Sequence, residues 1–299
     1  MRNYSKVDEI KVANIDGQDV DATLVLEGGA FRGLYTAGVL DCLLDNNISI
    51  NKAIGISAGG LNGTNYLAGC RGRTAYCVLK NRYNKRYVGL KAYHESGSIV
   101  GFKFMFEDLN KTLQLREDVL FSKTLYVGCC NTQTGNTEYF KVDNRKMLFD
   151  AVKASAAMPA VSKMVDINGS KYLDGGSNEK LPIRFAINNN FNKIIFIGTR
   201  PITYRRRPVS RITKLIRILY FKYPNFVKAI HDANGKYNRD IEYIQNLENE
   251  GKILTITPSK TIKVSRLEKN LEKLGNLYEL GYEDCLKQLD EIKKYLDIN

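Results

Sequence analysis

Twice within the first 63 residues, a short apolar run ends in a glycine-rich turn and passes straight into a helix start made of small residues. The first instance is Ala22-Thr23-Leu24-Val25-Leu26, followed by Glu27-Gly28-Gly29-Ala30-Phe31-Arg32-Gly33. The second is Ala53-Ile54-Gly55-Ile56, followed by Ser57-Ala58-Gly59-Gly60-Leu61. Short β-prone runs bounded by turn residues read as buried strands. Between them, Leu34 to Leu44 reads as a helix, with Ala37 and Gly38 small enough to pack closely on a sheet and Asn46-Asn47 ending it. Strand, loop, helix, strand, helix is a βαβ beginning, so the chain is expected to be an α/β protein.

Further strands are expected at Leu125 to Cys130, Thr137 to Val142, Met164 to Ile167, Lys171 to Leu173, Ile194 to Thr199 and Ile253 to Thr257. Asn168-Gly169 supplies the φ > 0 residues of a two-residue hairpin turn, so Asp174 should stand at the end of the strand that leaves it. Beyond Arg200 helical periodicity takes over, around Leu267, Leu271 and Leu274 and again at Leu286, Leu289, Ile292 and Leu296. This pattern divides the chain into a core at 22–199 and a mainly helical C-terminal extension at 200–299, packed on that core.

Composition excludes several classes. With 299 residues, 43% hydrophobic and 26% charged, the chain is neither disordered nor fibrous. No apolar run reaches the length of a membrane span, and Met1-Arg2-Asn3-Tyr4-Ser5-Lys6-Val7-Asp8-Glu9 has no export signal, so the expected location is cytoplasmic. The six cysteines form no CxxC pair and read as reduced core thiols. Two histidines, His94 and His231, are too few for a multi-histidine metal site, and any histidine-based triad has only these two candidates.

The net charge of +13 is unevenly placed. Arg71 to His94 carries seven basic residues and Arg200 to Tyr223 carries eight, neither stretch holding a carboxylate. In the second, Ile212, Leu215, Ile216 and Leu219 fall at helical spacing, with Arg211, Lys214 and Arg217 on another face. The plain reading is a helix that packs its apolar stripe on the core. The other is peripheral contact with an anionic membrane surface, the inner face of the cytoplasmic membrane. Nucleic acid is disfavoured, since no recognised binding signature accompanies the charge.

Three motifs carry chemistry. Gly55-Ile56-Ser57-Ala58-Gly59 matches the G-x-S-x-G elbow, in which a sharp strand-to-helix turn exposes a serine hydroxyl. Gly59, Gly60 and Gly63 fall early in the following helix at a cost of about 1 kcal/mol each, which close approach to the sheet would offset. A glycine-rich packing contact with Ser57 buried is the structural alternative. Gly28 to Gly33 offers successive N–H groups at a helix start but fails the dinucleotide fingerprint at Ala30 and lacks a P-loop ending. An oxyanion hole suits it better, with Gly29 and Ala30 N–H groups and Arg32 facing a developing negative charge. Asp174-Gly175-Gly176, by itself an ordinary turn, becomes informative when all three motifs project from strand ends on one sheet edge.

In order and spacing the combination resembles the patatin-like phospholipase family, specifically small bacterial members with a helical C-terminal extension. The resemblance runs from about Leu24 to Ile187 and includes the block Ala154-Ser155-Ala156-Ala157-Met158-Pro159. It implies a three-layer α/β sandwich with a central, mostly parallel sheet. It also implies a Ser-Asp dyad, Ser57 as nucleophile and Asp174 as base, and an oxyanion hole of Gly28, Gly29, Ala30 and Arg32. Gly33, Gly55, Gly59, Gly175 and Gly176 would be the elbow and turn glycines. Substrates would be lipids or other fatty-acyl esters, with no metal or cofactor required. Two positions depart from the family pattern: Glu27 replaces a usual aspartate, and Ala30 replaces a glycine, which is harmless if its φ is negative or its methyl has room. Two other readings remain open: a Ser57-Asp174-His231 triad esterase, and a non-catalytic membrane-surface or partner-binding protein on the same fold. Phe102-Lys103-Phe104-Met105-Phe106 reads as core packing or the lining of an acyl pocket.

Overall fold

Successive side chains along the central strands enter different cores. Leu24 and Leu26 of strand Gln18–Leu26 join one buried cluster while Val25 joins another. Strand Ile194–Ile197 divides in the same way, Ile195 and Ile197 against Ile194 and Phe196. A period of two with both faces apolar is what a sheet covered on both sides requires, and the result is a three-layer α/β sandwich. The computed structural model describes residues 4–207 and 212–298.

The main sheet runs in the order Ile253–Ile256, Ile194–Ile197, Gln18–Leu26, Ile48–Ile56, Thr124–Asn131, Ser170–Asp174 and Val165–Ile167, with Thr137–Lys141 also paired to Thr124–Asn131. The first five strands are mutually parallel, and the hairpin strands beyond them are antiparallel. Every strand expected from sequence is present. Gln18–Leu26 begins earlier than its apolar run because polar residues continue the pairing beyond a register shift between Val20 and Thr23. Asn168 and Gly169 take φ values of 52° and 84°, as the hairpin turn demands.

One face is covered by helices Gly33–Asp45, Ala58–Leu67 and Leu271–Lys287, the other by Ile183–Asn188 and Pro224–Asn249. Tyr237, Ile241, Ile244 and Leu247 form the buried stripe of Pro224–Asn249 at helical spacing. Helices Gly33–Asp45 and Leu271–Lys287 touch backbone to backbone: a Cβ on Gly38 would strike Tyr278, and one on Gly281 would strike Tyr35. Tyr278 donates to Asp41 at 2.9 Å and Tyr35 to Asp284 at 3.2 Å, fastening this pair. The residues beyond 200 thus supply an edge strand as well as helices.

Two expectations change. Leu267 is not helical: the helix starts at Leu271, where the Asn270 side chain accepts from Lys273 N–H at 3.1 Å. Helix Ile212–Leu219 forms, but of the described residues of its stripe only Ile216 packs on the core. Ile216 is buried, whereas Leu215 and Leu219 are 55% and 50% exposed and Ile218 reaches 72%. Arg211, the side chain of Ile212 and residues Met1 to Asn3 lie outside the described residues. No described helix is long and apolar enough to cross a membrane.

Candidate active site

Strand Ile48–Ile56 ends at Ser57, whose φ of 55° and ψ of −119° lie outside the regions ordinary for an L-residue, and helix Ala58–Leu67 starts at once. Such a turn persists only where its surroundings over-determine it. Ser57 N–H donates to Ser155 Oγ at 2.7 Å, and Ser155 Oγ donates to the Gly128 carbonyl at 2.6 Å. A Cβ on Gly55 would collide with the backbone of Gly59 and Gly60, and one on Gly59 with the backbone of Leu26. The helix therefore lies against the sheet at a distance only glycine allows. Gly33 meets Ala58 from the neighbouring loop, and its carbonyl accepts from Asn62 at 2.8 Å.

That loop is held from beneath by Glu27, which is buried and accepts from Thr199 N–H at 2.6 Å. Gly28 departs from the expected oxyanion set, because its N–H already donates to the Lys180 carbonyl at 3.2 Å. The N–H groups of Gly29 and Ala30 have no backbone acceptor among the described residues. Ala30 has φ +49°, the left-handed conformation a glycine would adopt freely, at a cost of about 1–2 kcal/mol. Its methyl does have room, since Ala30 borders open cavity space. Arg32 is buried and its Nε has no hydrogen-bond partner among the described residues. Burial, with Arg200, Arg206 and Arg266 nearby, pushes its pKa down to about 10, so it is cationic at neutral pH.

Strand Ser170–Asp174 brings Asp174 to the same edge by pairing it with Cys129. Ser57 Oγ donates to Asp174 Oδ2 at 3.3 Å, and Asp174 Oδ1 accepts from Gly176 N–H at 2.8 Å. Gly175 passes so close to the Gly128 carbonyl that a side chain has no space. Burial raises the Asp174 pKa above the ordinary aspartate value, opposed by the Gly176 N–H, Arg266, Lys180 and Ser57. Neither histidine joins this group: His94 and His231 are exposed, and His231 Nδ1 lies 2.9 Å from Asp232, its chain neighbour. No cluster of three metal-ligating side chains occurs among the described residues.

Two cavities meet at Ser57. One is apolar, with Leu34, Leu61, Val78, Tyr87, Met105 and Phe106 in its wall. The other, polar in its charged groups, carries Arg32, Asp174, Lys180 and Arg206 beside apolar Ile99, Met158, Val161 and Ile216, and Arg266 borders both. The aromatic segment divides between its two expected roles, Phe102 and Phe104 in the core, Met105 and Phe106 in the apolar wall. The sequence alone does not mark Ser155, Lys180, Arg206 or Arg266 as site residues. Ser155 lay inside a recognised block, but nothing local to the other three distinguishes them from surface charge.

The basic stretches part company. Arg71 is paired with Asp45 at 2.7 Å and Arg86 with Glu95 and Asp108 at 2.9 and 2.8 Å. Arg82 caps the carbonyl of Leu267 at 2.7 Å and lies 4.7 Å over Phe31. The stretch at 71–94 is thus largely internal structure. In the second stretch Lys214, Arg217 and Lys222 are exposed and form no salt bridge among the described residues.

Residues 24–187 match the family described as patatin-like phospholipase, and residues 223–297 match a domain of unknown function, DUF6363. The chain is 23% identical over 267 residues to the uncharacterized protein YjjU of Escherichia coli (strain K12), covering 86% of this chain and 74% of that one. It is 27% identical over 208 residues to the probable lipid hydrolase 463L of Invertebrate iridescent virus 6, covering 62% and 72%. Among solved structures, VipD from Legionella pneumophila aligns with a TM-score of 0.45 and 12% identity, over 97% of this chain and 71% of that one.

Proposed function

The chain belongs to the patatin-like phospholipase family, and from that premise we propose that it is a serine acyl hydrolase acting on fatty-acyl esters of lipids through a Ser57-Asp174 dyad. The observation that carries the reading is the 3.3 Å hydrogen bond from Ser57 Oγ to Asp174 Oδ2, at the junction of an apolar cavity and a cationic one. In this reading Asp174 takes the Ser57 proton as Oγ attacks the ester carbonyl. The carbonyl oxygen becomes an oxyanion facing Gly29 N–H, Ala30 N–H and Arg32. Collapse expels the alcohol, which receives the proton from Asp174, and leaves an acyl-serine. Water then attacks the acyl carbon, gives its proton to Asp174, and Ser57 recovers that proton as the fatty acid departs.

A neutral fluorophosphonate probe tests the nucleophile independently of substrate choice. Mass spectrometry is expected to find one adduct, on the peptide containing Ser57, with ester turnover lost in proportion. A folded protein that turns over esters but carries no adduct on Ser57, or carries one elsewhere, would overturn the assignment.

We further propose that the mouth of the site docks on anionic membrane. Leu215, Ile218, Leu219 and Phe221 are exposed within seven residues, next to Lys214, Arg217 and Lys222. Ile216, on the same helix, borders the polar cavity, as do the partly exposed Val161 and Leu267. Burying an apolar side chain contributes about 1.5–3 kcal/mol, and each nearby cation about 1 kcal/mol on an anionic surface. Vesicle sedimentation should therefore show binding that needs anionic lipid and weakens with salt. An Ile218→Glu, Phe221→Glu double variant should bind at least about tenfold more weakly while hydrolysing a soluble p-nitrophenyl ester normally. Equal binding to neutral and anionic vesicles, or none at low salt, would leave this face simply solvated.

A further inference from the structure

The polar cavity holds more positive charge than its carboxylates neutralise. Arg32, Lys180, Arg206 and Arg266 border it, against Asp174 in its wall and Glu27 beneath. Two of these cations are fixed inward rather than left to solvent. The Arg206 backbone is clamped by Asn238, which accepts from its N–H at 2.8 Å and donates to its carbonyl at 3.1 Å. Its side chain, only 9% exposed, lies 4.2 Å over Tyr237 and 3.5 Å from Glu27 Oε1, while its neighbours Arg205 and Arg207 face outward. Lys180 Nζ donates to the Gly176 carbonyl at 2.5 Å, two residues beyond Asp174. Arg32 Nε and Arg206 Nε are buried without an acceptor among the described residues.

Burying cations without matching anions is costly, and a fold that does so at one cavity has a use for the field. Burial and the neighbouring Arg206 depress Lys180 to about 7, the response of an ammonium crowded by like charge. Geometry says where the field acts. An ester whose carbonyl lies at Ser57 with its acyl chain in the apolar cavity has the polar one open beside it for its alcohol portion.

We propose that this cavity is a subsite for a phosphate carried on the alcohol portion of the ester, so that acyl esters of phosphate monoesters bind better than those with zwitterionic or neutral headgroups. The proposal rests on the acyl hydrolase reading and deepens it by naming the headgroup. A dianionic phosphate offers acceptors to Lys180, Arg206 and Arg266 together, and its charge favours the protonated form of Lys180. A phosphocholine brings a cation of its own into the same field, and a glycerol hydroxyl brings no charge.

The test uses the full chain as the Ser57→Ala variant, so that ligands bind without turnover, and short acyl chains, so that they stay monomeric. Titration calorimetry compares 1-hexanoylglycerol 3-phosphate, 1-hexanoylglycerol 3-phosphocholine and 1-hexanoylglycerol. The phosphate monoester is expected to bind about tenfold or more tightly than the others, the scale of one charge-assisted hydrogen bond. Lys180→Met and, separately, the exposed Arg266→Gln should each remove most of that advantage with little change in affinity for the neutral ester. Three equal affinities, or an advantage that survives both substitutions, would overturn the proposal. So would inorganic phosphate binding as tightly as the acylated ligand, which would assign the cavity to a free anion. Failure of the hydrolase reading appears elsewhere, in the absence of a fluorophosphonate adduct on Ser57.

Discussion

Replacing Ser57 by alanine is expected to bring hydrolysis of a short p-nitrophenyl ester down to the rate in buffer. Loss of the nucleophile in a serine hydrolase costs about 10⁶ in turnover, because the remaining donors can polarise a carbonyl but nothing attacks it. The fold should be unaffected for three structural reasons. The backbone N–H of residue 57, which anchors the elbow to Ser155 Oγ at 2.7 Å, is unchanged by the substitution. Serine and alanine both carry a Cβ, so the backbone strain at φ 55° and ψ −119° is already present in the wild type and is not added by the substitution. The one interaction lost is the 3.3 Å bond to Asp174, a carboxylate still held by Gly176. Thermal melting should therefore change little. Turnover clearly above buffer in this variant, with wild-type KM, would transfer the chemistry to another residue.

What could be read from the residues, and what could not, divides by the range of the interaction that decides it. Strand, glycine loop and elbow are local, and so is the Asn168-Gly169 hairpin that delivers Asp174 to the sheet edge: their residues carry the conformational requirement themselves. Gly28 is a different case. Its N–H looks like its neighbour's in sequence, and only the approach of Lys180, 152 positions later, removes it from the free donors. Ser155 is recognisable in its block, but its role as the tether of the elbow depends on a contact 98 residues away. The conformation of Ala30 was open because φ at that position depends on whether its methyl finds space, and a cavity is a property of several elements at once. Helix Ile212–Leu219 is the same lesson on charge and apolarity together: its periodicity fixes a helix, whereas which face meets the core depends on what remains uncovered, and the core accepts Ile216 and leaves Leu215 and Leu219 outside.

Asp174→Asn should be nearly as damaging as loss of the serine, with turnover reduced about 10⁴-fold, the scale seen when a catalytic aspartate is neutralised in place. The geometry makes this a clean substitution. Because Oδ1 accepts the Gly176 N–H at 2.8 Å, the asparagine keeps its oxygen there and turns its NH₂ toward Ser57 Oγ. An acceptor of the serine proton becomes a donor to the serine oxygen, so the base is lost while the turn survives. The pH dependence separates this from a packing defect. Burial raises the Asp174 pKa, and a base works only when ionised, so wild-type turnover should fall as pH drops through a value above the ordinary aspartate range. In the asparagine variant that acid limb should vanish, leaving a residual rate that climbs only with hydroxide. His231→Ala and His94→Ala provide the contrast: both rings are exposed and neither borders a cavity at Ser57, so kcat and its pH profile should match wild type. If His231→Ala instead loses activity as completely as Asp174→Asn with unchanged melting, proton transfer belongs to a triad, and the 3.3 Å contact between Ser57 and Asp174 is a structural hydrogen bond.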